Sequence, residues 1–385
     1  MLGLATVAVL ALLAGIVAAL AASGGAGDGP SASAGAPARG RMSAGQPSVV
    51  DASLPSTPPP PVRVVSGGDV MTDRSVRTYA EAHGCDAVLA GIAGVLRKGD
   101  AAWINLEGPV TTIGTPKPGK TYTFRGPPAM GAALRRAGVD VVTLGNNHAV
   151  DYGRSALKDS ITRLEAADVA VVGAGRNASD ARQPAVITTA SGATIGFLAW
   201  NDVWWPGFTA TGGKAGVAEA FTDVGRMRRS IRALAKRVDY VVVGYHWGYE
   251  YQHFPVAQQT MEAHAAIDAG ADLVIGHHPH VLQGVEVYRR GLIAYSLGDL
   301  VFDHYSVETG QTVLVDALLT PRGVTATLVP VYASATGIPS RQHGVAGKTI
   351  LTLLQQYSQP LGTKITIRGD TALVRTGARL DSAAH

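Results

Sequence analysis

Apolar runs, most of them β-branched, alternate along the chain with segments whose apolar residues recur at helical spacing. The runs predict buried strands at residues 62–66, 101–105, 139–143, 238–243 and 272–275. The helical spacing predicts helices at residues 129–137, 157–167, 224–234 and 254–269. Because strand, helix and strand follow one another with short joints, we expect βαβ units and a parallel core.

The second half of the sequence is richer in strand patterns. Residues 185–189 and 194–198 form a hairpin pattern around Ser191-Gly192. Further strands are predicted at residues 281–288, 292–296, 312–319 and 324–331. Such a mixture indicates an α/β fold with two mixed sheets packed together and helices outside.

The two ends of the chain depart from this pattern. Residues 2–22 are apolar without a charge, which predicts an N-terminal signal anchor or a signal peptide within residues 1–22. Residues 23–61 are rich in Gly, Ala, Ser and Pro and predict a disordered linker. We assign residues 62–343 to the folded domain and residues 344–385 to a C-terminal extension that packs on the domain or follows it. This organisation predicts an exported, cell-surface protein, membrane-anchored by residues 2–22 or secreted after cleavage.

Composition argues against a nucleic-acid partner and against internal disulfides. The formal net charge is +4 and no dense Lys/Arg run occurs, so a nucleic-acid partner is not expected. Cys85 is the single cysteine, which rules out an internal disulfide framework.

Histidines and carboxylates follow the predicted strands at the points where these strands end. They are Asp69, Glu107, His148, His246, His277, His278 and His280. Open α/β sheets gather ligands at the carboxyl ends of their strands, and neutral imidazole is the commonest side-chain metal ligand. The combination of imidazole and carboxylate groups predicts a metal-dependent hydrolase.

The segment Gly145-Asn-Asn-His-Ala-Val-Asp151 has the residue types for both metal binding and proton transfer. Asn147 offers a carbonyl oxygen to a metal, while His148 stays free to move a proton. Asp151 is placed to receive the ring N–H of His148 and fix its tautomer. The alternative is a polar loop that caps the next helix.

Gly276-His-His-Pro-His280 is the strongest single motif. Because strand side chains alternate, His278 and His280 project to the same side. His277 is able to take the place of His278 in this scheme. Glu250, shortly after His246, is expected to contact substrate or to support the metal ligands.

The order of these motifs resembles the CapA/PgsA family of poly-γ-glutamate capsule biosynthesis proteins, within the calcineurin-like metallophosphoesterase superfamily. The resemblance runs over residues 64–303 and is most specific in four stretches: Asn105-Leu-Glu-Gly108, Asn146-Asn-His-Ala-Val-Asp-Tyr-Gly153, His246-Trp-Gly-Tyr-Glu-Tyr251 and Gly276-His-His-Pro-His-Val281. The family implies a four-layer α/β/β/α sandwich. It also implies a membrane-anchored protein with an anionic polymer and other capsule-synthesis membrane proteins as partners.

The sequence departs from the related patterns at three positions. The superfamily pattern Asp-x-His reads Asp69-Val-Met71 here, and a thioether does not replace imidazole for hard divalent metals. Glu107 stands in place of the usual bridging aspartate. Asp299 stands where the family pattern has Asn, and it either adds charge to the cleft or caps a turn.

The leading hypothesis is a metal-assisted, phosphoesterase-like hydrolase with one or two divalent ions, Mn, Fe or Zn. Asp69, Glu107, Asn147, His246, His278 and His280 would bind the metal, with Glu107 as the bridge. His148, oriented by Asp151, would protonate the leaving group. His277, Glu250 and Asp299 would contact substrate or support the ligands. Two alternatives remain: a non-catalytic surface scaffold that binds or transfers the polymer, and hydrolysis of the polymer's amide bonds.

Overall fold

The computed structural model describes residues 57–221, 223–304 and 306–377. The predicted signal segment and residues 23–56 of the predicted linker lie outside these ranges. At the end of the linker, the Tyr240 hydroxyl donates to the carbonyl oxygens of Pro59 and Pro60, at 3.4 and 3.1 Å. In the described ranges, no helix has both the length and the apolar character needed to cross a membrane.

Helices and strands alternate through the first half of the described chain, and strands dominate the second half. The helices are α1 (Arg74–His83), α2 (Cys85–Leu96), α3 (Met130–Ala137), α4 (Arg154–Ala166), α5 (Val224–Ala235), α6 (Ala257–Ala269) and α7 (Gly344–Ser358). The strands are β1 (Val62–Val70), β2 (Ala101–Leu106), β3 (Val141–Thr143), β4 (Ala170–Val172), β5 (Ala174–Gly175), β6 (Ala185–Thr188), β7 (Thr194–Asn201), β8 (Gly216–Val217), β9 (Tyr240–His246), β10 (Leu273–His277), β11 (Val285–Tyr288), β12 (Gly291–Ala294), β13 (Asp299–Val301), β14 (Gln311–Thr320), β15 (Gly323–Ala333), β16 (Pro339–Arg341), β17 (Thr366–Arg368) and β18 (Thr371–Arg375).

Within the described residues, the strands form two large mixed sheets and one small pair. The first sheet has the order β17-β18-β15-β14-β1-β2-β3-β4, with β13 also paired to β1 and β16 to β15. The second has the order β11-β12-β10-β9-β7-β6. Strands β1 to β4 run parallel, as do β7, β9, β10 and β12, as the predicted βαβ units require.

Three buried clusters show how the layers stack. Alternate residues of the first sheet, such as Val65 and Ile104, pack against α1 to α4, while Val64 and Trp103 face the second sheet. On its far side the second sheet packs Val241 and its neighbours against α5 and α6. The period of two along each strand therefore fills both faces of each sheet. This arrangement confirms the predicted four-layer α/β/β/α sandwich.

The observed element bounds correct several predictions. Helices α1 and α2 were not predicted. Residues 281–284 precede β11 instead of belonging to it, and α6 begins at Ala257, three residues later than expected. Residues 344–377 pack on the same core, since β18 pairs with β15 and α7 contributes Ile350, Leu351 and Leu354 to the cluster between the sheets.

The end of β1 is shaped by a close backbone approach that positions two carboxylates. A Cβ atom at Gly68 would lie 1.9 Å from the carbonyl oxygen of Gly298, so only glycine fits there. The register of β1 shifts beyond this point, and Asp69 pairs with Asp299 of β13. The backbone thus places both side chains at the carboxyl edge of the sheet.

Candidate metal centre

The predicted metal-binding side chains meet at the carboxyl ends of strands from both sheets. Asp69 is near the end of β1 and Glu107 follows β2, while the loop after β3 carries Asn147. His246 ends β9, and the loop after β10 carries His278 and His280. Oxygen and nitrogen atoms of Asp69, Glu107 and His280 all lie within 4.8 Å of one another. The site is therefore assembled from strand ends, as the sequence predicted.

Asp69 is buried and fixed by donors on both carboxylate oxygens. Its Oδ1 accepts from Asn105 Nδ2 at 2.7 Å, and its Oδ2 accepts from the backbone N–H of His278 at 3.0 Å. Burial alone would raise the pKa of Asp69, but His277, at 3.3 Å, and His280 hold it below the ordinary value. The carboxylate is thus ionised and aimed into the site.

Glu107 is the least satisfied polar group of the site. Both its carboxylate oxygens are buried without a hydrogen-bond partner. Nε2 of His148, His246 and His280 lies 3.7, 4.0 and 3.8 Å from Oε1, too far for hydrogen bonds. Burial, reinforced by the charge of Asp69, raises the pKa of Glu107 well above its ordinary value.

The candidate metal-binding atoms of Asn147 and His246 face each other. Asn147 Oδ1 lies 2.9 Å from His246 Nε2, while the opposite ring nitrogen, Nδ1, lies 3.3 Å from Asn105 Nδ2. Asn105 Oδ1 in turn accepts from Asn146 Nδ2 at 2.9 Å. Burial and the neighbouring imidazoles lower the pKa of His246 well below its usual range. The ring is therefore neutral, with a proton on one nitrogen and a lone pair on the other, and each nitrogen has an asparagine partner.

His148 is oriented as the sequence predicted, and by more partners than expected. Its Nδ1 lies 2.6 Å from Asp151 Oδ2, and Phe124 stacks on its ring at 4.2 Å between centroids. Lys120 places Nζ 2.5 Å from Asp151 Oδ1 and donates to the Asn147 carbonyl oxygen at 2.6 Å. Burial lowers the pKa of His148 to about 4 despite the bond to Asp151.

The loop after β10 holds His278 and His280 in unusual backbone conformations. Their φ angles are 94° and 57°, in the left-handed region that non-glycine residues rarely adopt. His280 Nδ1 lies 2.8 Å from Asp299 Oδ1, and Asp299, Glu107 and Asp69 raise the pKa of His280 well above its usual value in spite of burial. Burial lowers the pKa of His278 to about 3. Such strain is typical of functional loops.

His277, Asp299 and Glu250 surround the ligands in different ways. His277 Nε2 accepts from Trp103 Nε1 at 3.4 Å, while its Nδ1 is buried without a hydrogen-bond partner and lies 3.3 Å from Asp69 Oδ1, so the exchange of His277 for His278 as a ligand stays a prediction. Asp299, whose pKa burial raises to about 6, orients His280. Glu250 is exposed and brings a carboxylate oxygen within 4.8 Å of nitrogens of His278 and His280.

Met71 offers no ligand to this site. Its side chain is fully buried in the core beneath α1 to α4, and its Sδ accepts the backbone N–H of Asp73 at 3.0 Å. The thioether is therefore used for packing.

Sequence reasoning missed four residues around the site. Asn105 and Asn146 link the ligands, and Lys120 pairs with Asp151. Phe302 contacts the His280 ring edge at 5.0 Å between centroids. Asn105 and Asn146 stand inside the motifs already singled out, so their polarity at strand ends was an available signal. Lys120 lies in a loop without hydrophobic periodicity, so the sequence carried no signal for its role.

The residues fit a divalent metal. Two ligand atoms at about 2.1 Å from one ion lie at most about 4.2 Å apart, and Glu107 Oε1 satisfies this limit with Nε2 of His246 and of His280, at 4.0 and 3.8 Å. Three carboxylates, of Asp69, Glu107 and Asp299, converge with neutral imidazoles of His246 and His278. A buried, unpaired carboxylate is costly unless a cation compensates it.

Comparisons with known proteins show the family of this chain. The family model described as bacterial capsule synthesis protein PGA_cap matches residues 63–304. The chain is 34% identical over 295 residues to the PGA biosynthesis protein CapA of Bacillus subtilis (strain 168), covering 76% of this chain and 77% of that protein. It is 35% identical over 261 residues to the capsule biosynthesis protein CapA of Bacillus anthracis, covering 66% of this chain and 63% of that protein.

Among solved structures, the NAD nucleotidase of Haemophilus influenzae aligns with a TM-score of 0.41 and 13% identity, covering 77% of this chain and 62% of that chain. The family model spans most of the folded part described above, and its residues include every ligand candidate. The chain therefore belongs to the bacterial capsule synthesis protein PGA_cap family.

Proposed function

We propose that this protein is a metal-dependent, phosphoesterase-like hydrolase of the capsule and poly-γ-glutamate biosynthesis type. The observation that carries the proposal is the buried carboxylate of Glu107, which lacks any hydrogen-bond partner and is surrounded by three imidazole nitrogens. A group of this kind is stabilised by a cation, and its neighbours are metal ligands by residue type.

Asp69, Glu107, Asn147, His246, His278 and His280 would hold one or two divalent ions. Mixed oxygen and imidazole ligands suit Mn, Fe or Zn. When bound, such an ion polarises the scissile group and generates a nucleophile from water at neutral pH. Asp299 keeps Nδ1 of His280 engaged, so that Nε2 of that ring is left for the ion.

His148 is proposed to hold a proton at Nε2 and deliver it to the leaving group. Asp151 binds the opposite nitrogen and Phe124 fixes the plane of the ring, so that Nε2 points toward Glu107. Burial favours the neutral ring, and an anionic substrate beside Nε2 favours the protonated one. Substrate binding therefore promotes the protonation that leaving-group departure requires.

The relatives' names support an anionic polymer as the substrate or partner in this proposal. The two Bacillus relatives are named for PGA and capsule biosynthesis. Phosphoester cleavage is our first candidate because the ligand set is of the metallophosphoesterase type. Hydrolysis of the polymer's amide bonds is the second, since the same centre activates water for attack on a carbonyl carbon.

One surface feature favours a non-catalytic scaffold as the competing function. Tyr122, Tyr249 and Tyr251 are 63%, 67% and 60% exposed, and the Tyr251 ring lies 6.4 Å from that of His280. Exposed tyrosines beside a site provide contact area for a long ligand at low entropic cost. A scaffold would bind the polymer through this surface with or without metal.

We also propose export and membrane anchoring through residues 2–22, with residues 23–61 as the linker. The basis is their sequence: an uncharged apolar segment followed by a Pro- and Gly-rich tract. Other membrane proteins of capsule synthesis are the partners this placement implies.

The test compares three substrates with metal-loaded and chelator-treated protein. An aryl phosphodiester, poly-γ-glutamate and a short γ-glutamyl peptide are incubated with Mn²⁺, and His246→Ala serves as the inactive control. Metal-dependent release of phenolate supports the phosphoesterase, and metal-dependent shortening of the polymer supports the amide hydrolase. Polymer binding that survives chelation, without turnover on any substrate, would establish the scaffold.

A further inference from the structure

Glu250 is held beside the metal centre by the segment between β9 and α6. The backbone N–H of Tyr251 donates to the carbonyl oxygen of Pro279 at 2.8 Å, which ties this segment to the loop of His278 and His280. Tyr251 itself adopts a φ of 62°, so the backbone turns sharply next to Glu250. The position of Glu250 is thus set by two local constraints.

The Glu250 carboxylate reaches two imidazoles, and one of them, His280, is also approached by the buried carboxylates. One of its oxygens and nitrogens of His278 and His280 lie within 4.8 Å of one another. Asp69, Glu107 and His280 form a second group of this kind, so His280 belongs to both. Asp69 and Glu107 are buried whereas Glu250 is exposed, and the two groups therefore approach His280 from the protein interior and from the solvent side.

The interior side lacks a ligand that the Asp-x-His pattern supplies. Met71 stands at the histidine position, and its Sδ is occupied by the N–H of Asp73. On the other side, Nδ1 of His278 is buried without a hydrogen-bond partner, and the residue as a whole is only 5% exposed. An imidazole held this way needs a partner that the protein alone does not provide.

We propose that Glu250 is a metal ligand, which with His278 and His280 completes the centre from the solvent side and compensates for the imidazole absent at position 71. This inference rests on the metal centre proposed above. A carboxylate oxygen and two imidazoles are a common ligand set for Zn²⁺ in catalytic sites. Because Glu250 is exposed, it is the ligand of this centre that an anionic substrate displaces most easily.

The test measures metal affinity and does not depend on turnover. The full chain is freed of metal, and Mn²⁺ and Zn²⁺ are titrated by calorimetry into the wild type, Glu250→Gln and Asp69→Asn. Glu81→Gln, which removes an exposed carboxylate on α1, is the matched control. We expect Glu250→Gln to lower the affinity for at least one of the two ions by about 10-fold or more. Even residues that only support metal ligands contribute about 10–100-fold to metal affinity.

Visible absorption of the Co²⁺-loaded proteins gives a second readout, because loss of a carboxylate ligand changes the ligand field. An unchanged affinity and spectrum in Glu250→Gln, with binding lost in Asp69→Asn, would overturn the role of Glu250 and leave the metal centre standing. If the wild type itself bound neither ion, both proposals would fail. Equal thermal stability of the metal-free proteins controls for folding, and Glu250 is exposed enough for the variant to fold.

Discussion

Lys120 and Asp151 form a buried ion pair, with Nζ 2.5 Å from Oδ1 and the two side chains 5% and 0% exposed. The other oxygen of Asp151 accepts from the Phe124 N–H at 2.9 Å and lies 2.6 Å from His148 Nδ1. One carboxylate therefore joins a lysine, a backbone N–H and the proposed proton donor. The orientation of His148 depends on this pair, which links the loop after β2 to the loop after β3.

Lys120→Met is expected to destabilise the protein by about 3–5 kcal/mol, because it leaves the Asp151 charge buried without its cation. The measurement is urea denaturation of the metal-free protein. Lys120→Met/Asp151→Asn, which removes both charges, should lose less than the sum of the two single variants. Strict additivity would show that the pair contributes no coupling.

His148→Ala is expected to reduce turnover by about 10²–10⁴-fold while metal content stays at the wild-type level. The reason is that Nε2 of His148 is proposed to carry a proton, whereas the metal ligands are other side chains. Steady-state kinetics with metal analysis of the same preparation tests this. Wild-type turnover in the variant would remove His148 from the mechanism.

Glu107→Gln is expected to stabilise the metal-free protein increasingly as the pH rises above the ordinary Glu pKa of 4.5. A carboxyl whose folded pKa is raised contributes stability below its unfolded pKa and loses it as the pH rises. Denaturation of both proteins between pH 5 and pH 8 measures the difference.

Bound Mn²⁺ should reverse this order of stability, so that the wild type becomes more stable than Glu107→Gln. At about 100 times its dissociation constant, a bound ion adds about 2.7 kcal/mol to the stability of the wild type, and the Gln variant should gain little. Equal stabilisation of both proteins by Mn²⁺ would contradict the role of Glu107 as a ligand.

Asp272 gives a pH dependence that is independent of the metal centre. Burial raises its pKa to about 6, although it accepts the Val241 N–H at 2.9 Å and lies 3.5 Å from Arg290. As the pH rises from about 4 to about 6, the stability of the folded protein should fall by on the order of 3 kcal/mol because of this group. In Asp272→Asn, whose amide oxygen still accepts from Val241, that part of the decrease should disappear. An identical pH profile for the two proteins would refute the assignment.

The sequence predicted the convergence of the candidate ligands better than it predicted the outer layers. The strands that carry Asp69 and His246, and the strand that precedes His278, are β-branched runs. Parallel strands place their carboxyl ends at one edge, so the convergence of the ligands followed from the pattern. The resemblance to the family supplied the four-layer sandwich, and the three buried clusters confirm it.

Helix α2 shows why other elements were not predictable. Its apolar residues occur nearly all round, and glycines stand at positions 91 and 94, which lowers helix propensity. A Cβ at Gly91 would lie 2.5 Å from the carbonyl oxygen of Pro339, so that glycine serves the packing of β16 against the helix. Contacts of this kind, like that of Lys120 with Asp151, join distant parts of the chain and leave no local pattern.

Metal analysis of the purified full chain, paired with Mn²⁺-dependent hydrolysis of an aryl phosphate, tests the proposed function most directly. Asp69→Ala/His280→Ala is the control variant, since it removes two ligands on different strand ends. We predict one or two bound ions per chain and turnover that disappears both in the variant and with chelator. No bound metal, or turnover equal in the wild type and the variant, would contradict the assignment of this centre as a metal-dependent hydrolase.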